Sequence, residues 1–290
     1  MISLLKKTLM LLFVMLGAVL VVHTLMYLIP GDPAAMMAGE YASEETIQSI
    51  RREMALDRPF MSRYALYAVS IARLDFGNSI YSGKPVSSLI MERFPATLSL
   101  AALAMAIAAA LGIAAGVVAA VWRGSAVDRL ILWSSSIFIS TPVFVTCVLL
   151  TLVFSHWLGL LPPSGKQGPN PAFFILPATA LASRSIALIV RVVKNELVDV
   201  LSRNYIKAAR SLGFAESRIV LVFALKNIIA PVLTIVLLDF GAYLGGAVVT
   251  ETIFAWPGIG RLMIMALQKR DMPLVQGIII FGTFLFILIG

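Results

Sequence analysis

Reactive side chains are scarce in this sequence. Cysteine occurs once, as Cys147 inside an apolar run, and histidine twice, as His23 and His156. One thiol makes neither a disulfide framework nor a thiolate cluster for zinc or an iron–sulfur centre. Neither histidine has a carboxylate or a second histidine at i+3 or i+4, so the pair offers no metal site. The chain also has no Gly-x-x-x-x-Gly-Lys-Ser/Thr phosphate loop, since Gly83-Lys84-Pro85 does not fit one, and no His-Glu-x-x-His, nucleophile elbow or clustered carboxylate pair. ATPase, metalloprotease and membrane-hydrolase readings therefore have no constellation to stand on, and no cofactor is expected. Low-complexity tracts, Gly/Ser linkers and clear internal repeats are missing too.

Charge is the other shortage. Only 13% of the 290 residues are charged, against about 25% in a usual soluble domain. Hydrophobic residues make up 60%, too many to hide in a single aqueous core, so apolar surface must face lipid. The net charge of +8 raises nucleic acid as a partner. The basic residues fall between apolar segments, however, which points to membrane topology, with the bilayer and not nucleic acid as the surroundings.

A helix needs about 20 mostly apolar residues to cross the hydrocarbon layer. Six stretches qualify: 8–29, 96–122, 130–160, 172–190, 228–250 and 274–290. A signal peptide is the lesser reading of the first, because the run is long and no small-x-small cleavage site follows. The sixth stops at Gly290 without a polar flank, so it is expected to be truncated. The fold expected is an all-α polytopic membrane protein of six transmembrane helices: an N-terminal helix (1–30), an extracytoplasmic insert (31–95) and a core transmembrane domain (96–290).

Lysine and arginine orient it. Lys6 and Lys7 place the N-terminus in the cytoplasm, and Arg123, Arg129 and the basic stretch 191–226 fall on the same side. The loop between Pro162 and Pro171 carries only Lys166 and falls outside. Arg261, Lys269 and Arg270 in the fifth loop are mildly discordant. The localisation expected is a cell (inner) membrane, multi-pass, with the N-terminus inside.

The loop 195–227 is the most informative stretch. Its centre reads Tyr205-Ile206-Lys207-Ala208-Ala209-Arg210-Ser211-Leu212-Gly213-Phe214. Ala208, Ala209 and Leu212 share one side of a short helix, and Gly213 permits the left-handed turn that ends it. Two adjacent alanines let a partner's surface come close. A solvated amphipathic loop lying on anionic headgroups fits the residues equally well.

Lys207-Ala208-Ala209, Gly213 and Ala230-Pro231 resemble the "EAA" loop of ABC importer permeases, with Lys207 where the namesake acid stands. The whole chain is similar to the dipeptide/oligopeptide/nickel permease family, first-subunit type. Leu56-Asp57-Arg58-Pro59, Arg63-Tyr64, Asp75-Phe76-Gly77-Asn78-Ser79, Arg93-Phe94-Pro95-Ala96-Thr97-Leu98, Glu251-Thr252-Ile253-Phe254-Ala255-Trp256-Pro257-Gly258-Ile259-Gly260 and Arg270-Asp271-Met272-Pro273 stand in the family's order. The resemblance implies a half-channel that pairs with a second permease subunit, two cytoplasmic ABC ATPase subunits and an extracytoplasmic solute-binding protein. It implies that Tyr205, Lys207, Ala208, Ala209, Arg210 and Gly213 couple to an ATPase, and that Glu251, Trp256, Pro257 and Gly258 form an outer gate loop. An interfacial anchor is the plainer reading of Trp256. The cargo it implies is di- or oligopeptide by family frequency, with nickel or a metal chelate as the alternative.

Arg184 and Asp239 fall mid-way along the fourth and fifth spans, where ionisable groups are functional candidates by default. They are expected either to line the solute path or to pair between helices, with Arg184 snorkelling as a further option. The family carries an uncharged amide near Asp239, so the acid is a departure. Gly112 and Gly116, and again Gly241 and Gly245, read as close helix packing, while Gly245 and Gly246 would loosen the fifth span for gating. An ATP-independent secondary transporter and a membrane scaffold subunit are the rival classes.

Overall fold

A computed structural model describes residues 13–24, 33–38, 42–53, 56–73, 75–165 and 170–289. Lys6, Lys7, Lys166, Gly290 and both ends of the first expected span lie outside the described residues. The described part is helical; its one strand-like pairing is an isolated bridge between Asn78 and Pro85.

Four short helices come first. Helix α1 (Phe13–Thr24) is followed by α2 (Pro33–Ala38), α3 (Glu44–Glu53) and α4 (Phe60–Ala72). In α3 the Ser43 hydroxyl accepts from the Thr46 N–H at 3.2 Å, and Glu44 and Glu45 open a helix that Arg51 and Arg52 close. That order matches the helix dipole. Val19 of α1, Ile71 of α4 and Ile280 pack together, which ties this region to the far end of the chain.

Helix α5 (Val86–Val121) starts ten residues before the expected Ala96 and runs through Pro95. At 1.5 Å per residue its 36 residues reach about 54 Å, well beyond a hydrocarbon layer of about 30 Å. The third expected span is not one straight helix. It divides into α6 (Ala126–Ser140) and α7 (Val143–Leu150, with a wider turn over Thr151–Trp157), bent by 107°. Pro142 explains the break: the residue before a proline is driven out of the helical region, and Thr141 adopts φ −86°, ψ 122°.

Helix α8 (Ala172–Leu201) overruns its expected end by eleven residues and is the most enclosed of the long helices. It lies along α5 at Gly112 and Gly116. A Cβ added at Gly116 would stand 2.6 Å from Val193 Cβ, and one at Gly112 would stand 2.8 Å from Ile189 Cβ, so bare glycine is what lets these helices meet.

The stretch expected to be cytoplasmic folds as α9 (Asn204–Ser211) and then α10 (Glu216–Arg218), which opens a continuous helical run. That run crosses wide and tight turns over Ile219–Ile228 before α11 (Ile229–Leu244). Pro231 has no N–H for the preceding turn, and the Asn227 amide donates to Phe223 O at 2.6 Å in the irregular segment. The run thus spans Glu216–Leu244, starting earlier and ending sooner than the expected 228–250. Three helices follow: α12 (Val248–Ile253), α13 (Ile259–Gln268) and α14 (Met272–Ile289).

Among the described residues four helices are long and apolar enough to cross a membrane, or five if the bent α6–α7 pair is one span. The main core lies between α5, α8, α9 and the run into α11, and a second core joins α5 to α13 and α14.

Candidate functional site

Three groups of polar side chains stand at three levels of the helix bundle. The first is the α9 turn. Ile206 is fully buried and Ala209 is 8% exposed; both join the main core with Ile219 and Val220. This alters the expected pairing of alanines, because only Ala208 faces outward. The helix is too short to bury itself, so Ile206 and Ala209 serve as its seat. Tyr205 (42% exposed) and Leu212 (77% exposed) stand on its outer surface beside Lys207, Ala208 and Arg210. Gly213 has φ +80°, the left-handed turn that ends the helix.

Arg210 braces that turn with a two-pronged bond to Glu216, Nε to Oε1 at 2.6 Å and Nη2 to Oε2 at 3.1 Å. These bonds hold the Glu216 carboxyl below its ordinary range. Two links join the turn to the next helix. The Asn227 amide donates to Tyr205 Oη at 3.0 Å, and Phe214 meets Phe223 edge-on at 5.3 Å. On the same side of the bundle Lys194 pairs with Asp128 at 2.5 Å, which ties the start of α6 to α8.

The second group lies between α8 and α11. Ser185 Oγ donates to Asp239 Oδ2, and Tyr243 Oη, 2.5 Å from Ser185 Oγ and 2.8 Å from Leu181 O, has one proton to give to either of them. No ion pair within 4.0 Å joins Arg184 to Asp239. Arg184 is exposed and Asp239 half-buried. Gly245 and Gly246 stand elsewhere, at close contacts: Gly282 approaches Gly245, and Gly246, at φ +115°, lies against Gly260.

The third group is the α12–α13 turn, where most of the residues expected to form an outer gate turn inward. Trp256 is fully buried, not an interfacial anchor. Its Nε1 donates to Ala96 O at 2.9 Å, and its ring meets Phe174 edge-on at 4.5 Å. Glu251 is also fully buried. It accepts from Thr97 Oγ1 at 2.7 Å and from the Arg261 N–H at 3.0 Å, while Thr97 Oγ1 accepts from the Ile259 N–H at 2.8 Å. The first amides of α13, which lack partners within the helix, are thus held by a threonine of α5 and a glutamate of α12. Gly258 and Gly260 leave room for the carboxyl: a Cβ at Gly258 would lie 2.4 Å from it. Pro257 is half-buried in the same turn.

A fourth contact was not legible in the sequence. Asp271, 2% exposed, precedes α14 and accepts from Ser79 Oγ at 2.5 Å and the Ile80 N–H at 3.1 Å. Lys269 Nζ lies 3.3 Å above the Tyr81 ring. The 75–85 loop is thereby fixed to the α13–α14 corner. The motifs Asp75–Ser79 and Arg270–Pro273 were each visible, but nothing in their spacing of some 190 residues marked them as partners.

Two family profiles match this chain. One, described as binding-protein-dependent transport system inner membrane component, covers residues 112–290. Its N-terminal companion covers residues 1–101. The chain belongs to this permease family. The permease is 39% identical over 283 residues to a Brucella abortus (strain 2308) protein named as a peptide transport system permease, covering 96% of the chain and 90% of the relative. It is 38% identical over 269 residues to the glutathione transport system permease protein GsiC of Escherichia coli (strain K12), covering 93% and 87%. Its fold is similar to that of a chain from an inward-facing MetNI methionine ABC transporter, with a TM-score of 0.55 and 18% identity, over 69% of this permease and 91% of that chain.

Proposed function

We propose that the permease is one transmembrane subunit of an ABC importer, that it carries di- or oligopeptides, and that α9 is its contact with a cytoplasmic ATPase. The relatives named for peptide and glutathione transport support the cargo. Six spans with the N-terminus inside complete the topology, the first around α1 and the third bent at Pro142. The permease pairs with a second permease subunit and works with two ATPase subunits and a solute-binding protein. ATP is bound and hydrolysed by the ATPase subunits, not by this chain.

The observation that carries the coupling role is a small helix seated on two buried residues, Ile206 and Ala209, that leaves Leu212 77% exposed on its outer surface. A leucine held in the open on a braced turn suits a partner groove. When ATP binding closes the ATPase pair, α9 is pushed, and the Tyr205–Asn227 and Phe214–Phe223 contacts deliver that motion to the helix leading into α11. Alternating access is a shift between two packed arrangements, so α9 must engage the ATPase differently in each. At the outer end the Thr97–Glu251–Trp256 joint binds α12 and α13 to α5, and this unit forms the outer gate.

The test is uptake by the complete complex in proteoliposomes, with loaded binding protein outside and ATP inside. Accumulation of a labelled tripeptide that requires ATP is the expected result. Accumulation without ATP would refute the importer assignment, and uptake of a nickel chelate with no peptide uptake would refute the cargo.

A further inference from the structure

The most enclosed long helix, α8, leaves one face uncovered, and that face is polar. Arg184, Leu188, Arg191 and Asn195 follow one another at helical spacing; all are exposed except Leu188, which is half-buried. Arg191 donates from Nη2 to Ser136 Oγ on α6 at 2.9 Å. A guanidinium turned toward acyl chains costs about 2.5–3.5 kcal/mol, so Arg184, mid-way along its expected span, does not suit a lipid-facing surface. It suits a watered wall.

Asp239 stands beside this stripe, held by Ser185, the residue next to Arg184. Ser185 takes only Oδ2, and Tyr243 pins Ser185 from the other side. Oδ1 has no hydrogen bond from the described residues, and the carboxyl is half-buried. An acceptor oxygen is thus aimed and left open, with a cation one residue along the wall that does not neutralise it by contact. Opposite charges at membrane depth with no ion-pair partner among the described residues match a molecule that carries both signs. A peptide with free ends is such a molecule.

We propose that Asp239 receives the terminal ammonium of the passing peptide and that Arg184 faces its carboxylate, so that this wall selects zwitterionic peptides. This rests on the reading of the permease as a peptide importer. Ser185 and Tyr243 are positioning residues: they orient the carboxyl and do not touch cargo.

The complex without binding protein, in detergent, is titrated with triglycine and with N-acetyl-triglycine at millimolar concentration, with binding read by saturation-transfer NMR. The wild type should bind the free amine about tenfold more tightly. Asp239→Asn, which still accepts from Ser185, should abolish that preference, and Asp239→Glu should keep it. Equal binding of the two peptides by the wild type, or an unchanged preference in Asp239→Asn, overturns the site while leaving peptide import standing if uptake is normal. A wild type that neither binds nor imports either peptide overturns the peptide reading itself, and the site with it.

Discussion

Replacing Thr97 with valine keeps the shape of the side chain and removes its hydroxyl, which stands at the centre of the joint between α5, α12 and α13. Thr97 is 1% exposed, donates to Glu251 Oε1 at 2.7 Å and accepts from the Ile259 N–H at 2.8 Å. Thr97→Val therefore leaves a buried amide without an acceptor and takes a donor from a buried carboxyl. Each such loss costs about 1–3 kcal/mol, and the volume is nearly unchanged, so no cavity cost is added. The two together weaken the start of α13 by about 2–6 kcal/mol. At about 1.4 kcal/mol per tenfold, amide exchange at the first turn of α13 should quicken by between about thirtyfold and about twenty thousandfold. Hydrogen–deuterium exchange of the purified complex, read on a peptide covering Ile259–Gln268, measures this directly. Thr97→Ser keeps both bonds and should exchange within a few-fold of wild type. If valine and serine behave alike, the hydroxyl does not hold the joint and the reasoning fails.

Three further outcomes are expected. Leu212→Asp should leave the permease folded, since the residue is 77% exposed, yet lose about 1.5–3 kcal/mol of leucine burial against the ATPase; at least tenfold weaker co-purification is expected, and an intact complex would contradict the docking role. Gly116→Val forces side-chain atoms into Val193 and the Val190 carbonyl. Overpacking of about 1–3 kcal/mol should lower the thermal aggregation midpoint of the detergent-solubilised protein, and an unchanged midpoint would remove the close α5–α8 contact. Because Arg210 depresses the Glu216 carboxyl below its usual 4.5, the brace is fully present above that pH and is lost only as pH falls through the lower folded value. Pepsin cleavage at Leu212 should stay slow at pH 4.5 and quicken below it, whereas Arg210→Met should be cut quickly at pH 4.5 already; equal rates in both proteins would count against the brace.

The sequence carried the long apolar runs plainly, because spans need length and hydropathy alone. Gly213 was legible as a helix end and Gly112 and Gly116 as packing positions, since each depends on a local property of glycine. Boundaries were less legible. Pro95 bounded the expected second span but sits inside α5, while Pro142 does break the chain. Ala209 read as a surface residue beside Ala208, although a helix of eight residues must spend part of its face on its own seat. For Trp256 the resemblance implies an outer gate loop and the residue type alone an interfacial aromatic; neither reaches the bond of its indole N–H to a carbonyl on α5. The Thr97–Glu251 and Ser79–Asp271 bonds join residues 154 and 192 positions apart, and no spacing rule reaches that far.

The central claim is that α9 lies on the cytoplasmic side and meets an ATPase. The native Cys147 is fully buried, so a cysteine placed at the exposed Ala208 is the one thiol an aqueous reagent should reach. A maleimide–benzophenone reagent attached to Ala208→Cys in inside-out vesicles of the assembled transporter and then photoactivated, so that its second end inserts into any nearby C–H bond, should join the permease to its ATPase subunit, with a yield that changes when nucleotide is added. Labelling from the extracytoplasmic side, or a cytoplasmic thiol that reacts freely yet never cross-links to the ATPase, would contradict the account.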